Sequence, residues 1–240
     1  IFFLFVPPKS TSSIPPANDN YPPPHTAACP RILAPAEVCF GQLGFQKTSV
    51  FEIAAAAQVS KPLVYRYFES KEHLYEVVIT RLVQDWNEEL VAELSFASDA
   101  ANAEDSGRVA EALRRMHRAS LDYARRSPLL RGLLAKESRL LLASYSDIVE
   151  RTNATLKDQI GQCLECGIDS GELRRDLPID AMADAVTEIH LAYVERVVSG
   201  TEKPNAQRLS LDAFECLLFG ICVQREDSAP SPTQRRKRSR

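Results

Sequence analysis

The sequence predicts an all-α protein, and three observations predict it. Only four of the fifteen prolines lie between Ala36 and Ala229, although eight crowd into residues 1–30. Through that proline-poor middle, apolar residues recur every third or fourth position, which lines them up on one helix face. No stretch sustains the strict alternation of a half-buried strand. With 240 residues, 45% hydrophobic and 25% charged, the chain can bury a core, so a disordered or collagen-like protein is excluded.

Nine helices are predicted, at about 31–43, 48–55, 60–67, 71–97, 104–126, 128–141, 145–166, 179–199 and 205–223. Their ends carry the reasons. Ser49 and Glu52 have the spacing of a capping box, in which a hydroxyl and a carboxylate each take up a free amide of the first turn. Ser70 is placed to cap the fourth helix. Pro128, Pro178 and Pro204 stand near helix starts, where a missing N–H costs little, and Gly44, Gly167 and Gly200 are expected just past helix ends. The two termini read differently. Residues 1–30, with Pro7-Pro8, Pro15-Pro16 and Pro22-Pro23-Pro24 among Ser, Thr and Asn, are expected to form a disordered arm. Residues 225–240 end Arg-Arg-Lys-Arg-Ser-Arg and are expected to form a disordered basic tail. Between them the expected division is a helix-turn-helix domain at 31–75 and a helical body at 76–224.

Taken whole, a formal net charge of −3 argues against a nucleic-acid partner. Divided by segment it argues otherwise. Residues 31–71 hold five basic and three acidic side chains, whereas residues 72–224 hold 17 basic and 26 acidic ones. A DNA-binding surface, if present, is local and belongs to the first segment. The apolar run Ile1–Val6 is far shorter than the ~20 residues of a membrane span. It has no basic flank and is followed by prolines, so it is not read as a signal peptide. Six cysteines, sparse and scattered, are expected as reduced thiols of a cytoplasmic protein rather than a disulfide framework.

The informative stretch is 31–72. Its second and third helices are short and separated by a tight turn around Gln58-Val59, and Ile53, Ala54, Ala57, Val59, Val64 and Phe68 can form a small shared core. That is the geometry of a helix-turn-helix, whose second helix enters the DNA major groove. The face left over carries Lys61, Pro62, Tyr65, Arg66 and Tyr67. Cations and phenol hydroxyls bind phosphates and base edges, and aromatic rings pack on sugars or thymine methyls. Phe68 is read instead as core, and Ser60 as both helix cap and phosphate contact.

Three runs carry a resemblance: Gly44 to Ala54 (GFQKTSVFEIA), Val59 to Phe68 (VSKPLVYRYF) and Ser70 to Leu74 (SKEHL). Together they resemble the DNA-binding domain of TetR-family regulators over about 40 residues. The resemblance implies that Thr48 donates to a phosphate. It also implies that Lys61, Pro62, Leu63 and Tyr65 touch base edges and methyl groups, and that Arg66, Tyr67 and Lys71 grip the DNA backbone. One position departs from it. Gln58 stands where the family usually has Gly, and a side chain forced to positive φ there costs ~1 kcal/mol.

For the body, the resemblance implies a homodimer and a small-molecule effector. The last two helices, about 179–199 and 205–223, have broad apolar faces: Met182, Val186, Ile189, Tyr193 and Val197 on one, Leu211, Phe214, Leu217, Leu218 and Ile221 on the other. Paired with their symmetry mates they would make a four-helix interface, while the competing reading is that they cover the monomer core. The expected function is a repressor that binds a palindromic operator and is released by the effector. Trp86, His117, Tyr123, Tyr145 and His190 are aromatic and polar candidates near a pocket, and each reads more simply as structural, so the ligand site stays unassigned. Cys163 and Cys166 have Cys-x-x-Cys spacing, but no second pair and no preceding strand accompany them. No phosphate loop or catalytic signature is present, so no cofactor, metal or enzymatic activity is expected. The other readings are an all-α thiol or metal-dependent protein, resting on the Cys pair, and a helical interaction module without operator binding, resting on Gln58.

Overall fold

The structure, a computed structural model, describes residues 28–97, 107–134, 145–198 and 205–223. Among them it is all helical, with one isolated antiparallel bridge between Leu173 and Cys222. Three helices make an N-terminal head: α1 (Ala28–Lys47), α2 (Val50–Ala56) and α3 (Lys61–Tyr67). Helix α4 (Lys71–Leu94) runs from the head into the body and ends in a 3-10 turn, Ser95–Ala97. The body continues with α5 (Arg108–Arg126), α6 (Pro128–Leu134), α7 (Tyr145–Asp169), α8 (Ile179–Val198) and α9 (Ala206–Ile221). The expected ends at 104, 141 and 199, together with Gly200, Pro204, the arm up to residue 27 and the tail, lie outside the described residues. Helix α1 begins three residues before its expected start and breaks at Gly44, whose φ is 74°.

Helix α4 is the spine. Leu74, Val78, Leu82, Trp86, Leu90 and Leu94 recur every four residues, and all are buried, as are Tyr75, Ile79 and Val83 beside them. That stripe packs on α1 in the head and on α5 and α7 in the body, so one rod serves both cores. Head and body also meet where α1 crosses α6. A Cβ on Gly41 would come 3.0 Å from the Leu129 backbone nitrogen, so any larger residue would push α6 back by a few tenths of an ångström.

The start of α5 is capped from a distance. Its N-cap, Gly107, has a φ of 100° and no side chain to offer. The Glu172 carboxylate takes that place, accepting from the Val109 amide at 3.1 Å and the Ala110 amide at 2.8 Å. Two charge-assisted bonds at a helix N-terminus predict that Glu172→Ala lowers unfolding free energy by about 1–2 kcal/mol. Glu172→Gln should lose less, and urea denaturation of both variants checks the ordering.

Two expectations are corrected here. Gly167 is not past the end of α7 but inside it. The helix runs two residues further, to Asp169, and Gly171 (φ 76°) just beyond it closes a Schellman motif. The Glu172 amide donates to the Gly167 carbonyl at 2.9 Å, and the Gly171 amide donates to the Ile168 carbonyl at 3.1 Å. That satisfies carbonyls the helix end would otherwise leave free. The second correction concerns the apolar faces of α8 and α9. Met182, Val186, Val197, Phe214, Leu218 and Ile221 turn into the protomer's own core, and Ile189, Tyr193, Leu211 and Leu217 are half-buried. The apolar side chains that α9 leaves outside are Leu209 and Phe219, with Val223 just beyond its end.

Candidate nucleic-acid interface

The head holds α2 and α3 together through a small apolar core. Ile53, Ala54, Ala57, Val64 and Phe68 are buried, and Val59 packs on them half-buried. Both short helices are started by serine hydroxyls. The Ser49 hydroxyl accepts from the Glu52 amide at 3.2 Å, and the Glu52 carboxylate accepts from the Ser49 amide at 2.8 Å. The Ser49 amide foremost, and the Ser49 hydroxyl, which also donates to that carboxylate at 2.9 Å, hold the Glu52 carboxyl below its ordinary pKa. At α3 the Ser60 hydroxyl accepts from the Leu63 amide at 3.3 Å, and Pro62 sits in the first turn, where its missing N–H is not needed.

The turn between them brings in the one departure from the family pattern. Gln58 has a φ of 55° and is the only non-glycine residue with positive φ among those described. The backbone closes around it all the same, with the Gln58 amide donating to the Ala55 carbonyl at 3.1 Å and the Val59 amide to the Ala54 carbonyl at 2.9 Å. The left-handed conformation therefore survives the side chain at an energetic cost. Gln58→Gly should stabilise the protein by about 0.5–1 kcal/mol, the relief being partly offset by a freer unfolded chain. An unchanged or lowered denaturation midpoint would show that the conformation carries no strain.

With one side of α3 fixed in the core, the other side faces out. Lys61, Pro62, Tyr65 and Arg66 are exposed, Tyr65 by 41%. The Lys61 ammonium lies 5.7 Å from the centre of the Tyr65 ring. Leu63 and Tyr67 are half-buried, so each has one side in the head and one side free. Phe68 is core, as expected. Ser60 is exposed and spends a lone pair on its cap, which leaves its O–H free to donate.

Two expected phosphate contacts sit elsewhere. Thr48 precedes the α2 cap, is 1% exposed, and its hydroxyl lies 2.8 Å from the Gly44 carbonyl and 3.1 Å from that of Cys39. It stitches the end of α1 to the start of α2. Lys71, in the first turn of α4, donates to the carbonyls of Phe45 at 3.0 Å and Thr48 at 3.2 Å, and its ammonium stands 4.3 Å from the centre of the Phe45 ring. Both groups tie the helices together, Thr48 buried and Lys71 half-buried. Phe51, which the motif did not single out, is 69% exposed on α2. Its signal was available, because it falls off the Val50–Ile53–Ala54–Ala57 stripe.

The body's candidates divide. Trp86 is buried, and Tyr123 is half-buried on a cleft of about 310 Å³ that it shares with Glu37 and Leu129, between α1 and the α5–α6 corner. His117 and His190 are fully buried side by side. The Tyr145 side chain lies outside the described residues. Cys163 is buried, and burial first, then Cys166 beside it, pushes its thiol up to about 12, far from the thiolate that redox or metal chemistry uses. Among the described residues no group of three His, Cys, Asp or Glu is placed to hold a metal, and no helix is long and apolar enough to cross a membrane.

Comparison with known proteins falls on the same segment. The sequence model of the bacterial regulatory proteins of the tetR family matches residues 32–78. An uncharacterized HTH-type transcriptional regulator of Bacillus subtilis, YhgD, is 23% identical over 163 residues, covering 68% of this chain and 80% of its own. A TetR-family regulator of Pectobacterium atrosepticum superposes with a TM-score of 0.62 at 22% identity, over 81% of this chain and 94% of its own. SmeT, the repressor of the Stenotrophomonas maltophilia multidrug efflux pump SmeDEF, superposes with a TM-score of 0.61 at 17% identity, over 87% and 98%. These likenesses at low identity give the fold of the whole, and the family model places the head, residues 32–78, with the bacterial regulatory proteins of the tetR family.

Proposed function

We propose that this protein is a repressor that binds a palindromic operator as a homodimer and is released by a small molecule. The observation that carries the reading is the outward face of α3, with Lys61, Pro62, Tyr65 and Arg66 exposed on a helix whose far side is locked into the head. DNA reading is assigned to residues 31–75, and effector binding and dimerisation to 76–224. In the major groove, Lys61, Pro62, Leu63 and Tyr65 meet base edges and methyl groups, while Ser60, Arg66 and Tyr67 hold phosphates. Thr48 and Lys71 act at one remove, by fixing the angle between α1, α2 and α4.

One recognition helix reads only a few base pairs, and two held about 34 Å apart read a palindrome. Leu209 and Phe219, exposed on α9, with Val223 after it, together with the half-buried Ile189 and Tyr193 of α8, support pairing of these helices with their mates. An effector in the body, acting through α4, would change the separation of the heads. That SmeT represses an efflux pump supports the repressor sense.

Footprinting on the DNA beside the gene tests the reading. A protected palindrome is expected, with affinity falling steeply as salt rises, because phosphate contacts release counterions. Lys61→Ala and Tyr65→Ala should each weaken specific binding by about 1–3 kcal/mol while the helical signal stays intact. Binding that ignores salt, or no protection across the region, would overturn it.

A further inference from the structure

The body's interior holds polar atoms that neither the head nor the fold uses. His117 on α5, His190 on α8 and Ser210 on α9 are each 0% exposed. His117 Nδ1 lies 3.0 Å from His190 Nδ1, and His117 Nε2 lies 2.9 Å from Ser210 Oγ. Phe214 stacks on the His117 ring, with centres 4.3 Å apart. The three side chains form one hydrogen-bonded chain, and it ends at His190 Nε2, which is buried with no partner in the protein. Trp86 Nε1, Asn87 Oδ1 and Ser120 Oγ are buried and unpartnered too. All four atoms belong to the body, while the head's buried hydroxyl, Thr48, is bonded. A buried polar atom left without a partner is costly unless something fills its place.

We propose that the body binds an uncharged molecule carrying a carbonyl or hydroxyl oxygen on a mostly apolar frame, and that His190 Nε2 hydrogen-bonds that oxygen. The proposal rests on the reading that the body takes a small effector, and it names the effector's chemistry. Two arguments fix the class. No Asp, Glu, Lys or Arg is buried among the described residues, so a charged ligand would find no counterion inside. Burial also keeps both imidazoles neutral near pH 7, His117 at about 4 and His190 at about 3.

A neutral imidazole chain can run in either direction. With the Ser210 hydroxyl donating to His117 Nε2, His117 Nδ1–H donates to His190 Nδ1, and His190 Nε2–H faces a ligand carbonyl. Reversed, a ligand hydroxyl donates to His190 Nε2, His190 Nδ1–H donates to His117 Nδ1, and His117 Nε2–H donates to Ser210. The terminal atom thus serves as donor or acceptor, and the far end of the chain lies on α9, one of the helices assigned to dimerisation.

The test uses the full-length protein and four probes of similar size: acetophenone, phenol, ethylbenzene and benzoate. Nitrogen-15 NMR of the histidine rings follows the tautomers in the wild-type protein. Acetophenone and phenol should shift the His190 nitrogens saturably, ethylbenzene should bind at least tenfold more weakly, and benzoate should leave the rings unmoved. His190→Phe should reduce acetophenone affinity at least tenfold. His190 nitrogens that respond to no probe, as when only water meets Nε2, would overturn the proposal, as would equal binding by His190→Phe. The underlying reading fails separately. A compound that releases operator DNA equally from wild type and His190→Phe leaves the ligand-released repressor standing and removes this proposal. Probes that engage His190 without altering operator affinity do the reverse.

Discussion

Gly167→Ala and Gly161→Ala, two identical substitutions six residues apart on α7, should change stability in opposite directions. At Gly161 a new Cβ meets nothing within 4 Å, so the variant gains the difference in helix propensity, about 0.5–1 kcal/mol. At Gly167 the same atom would stand 2.6 Å from Leu173 Cγ, 2.7 Å from Leu173 Cδ1 and 3.2 Å from Val109 Cγ1. Leu173 is 1% exposed, so its side chain has little room to swing away, and its amide bonds to the Gly167 carbonyl at 2.9 Å, which holds its backbone close. Overpacking of that kind costs up to about 3 kcal/mol. The displacement also pushes Val109 and the turn that brings Glu172 under the first turn of α5. A gap of about 2–4 kcal/mol between the two variants is expected, about 4–16 °C in Tm for a protein of this size. Equal midpoints would mean that α7 and the Leu173 turn part without resistance.

That pair of glycines shows where the sequence was legible and where it was not. The head could be read nearly residue by residue because its determinants are local. Ser49–Glu52 and Ser60–Leu63 act across three positions, and the spacing of Ile53, Ala54, Ala57, Val64 and Phe68 states which faces meet. Gly167 could not be read, since stop signals look alike in sequence and its reason, the approach of Leu173 and Val109, is tertiary. The carbonyl partners of Thr48 and Lys71 were hidden for the same cause. A hydroxyl and an ammonium beside a DNA-binding helix suit phosphate equally well until the carbonyls of Cys39 and Phe45 are seen within reach. The faces of α8 and α9 were correctly seen as apolar, but periodicity names a face without naming its partner, and the protomer's core claimed most of it. His117 and His190, 73 residues apart on separate helices, left no trace in spacing at all.

Acid should unfold this protein earlier than its carboxylates alone would dictate. In the unfolded chain both imidazoles of the buried pair titrate near 6.5. In the folded protein burial foremost depresses them, His117 to about 4 and His190, with His117 adding to the effect, to about 3. The native state therefore refuses protons that the unfolded state accepts. Stability is whole above pH 6.5, falls as pH drops below it, and stops falling on this account only under the folded values. For His117 alone the full effect is about 3 kcal/mol. Carboxylates held low in the native state, Glu52 and Asp176, lose their contribution only below about pH 4.5, and both are exposed. Glu37, raised by burial and by Asp85, acts in the opposite sense. In the window from pH 6.5 to 4.5 the two imidazoles therefore set the fall, and the raised Glu37 carboxyl offsets part of it. Urea midpoints measured across that window should decline steadily in the wild type and about half as steeply in His190→Phe, which keeps the buried His117, and a flat wild-type profile would sink the argument. Because the same chain ties Ser210 of α9 to α5 and α8, protonation should loosen α9 as the core opens. If α9 pairs with its mate, sedimentation across the same pH range should show the dimer parting as the stability falls.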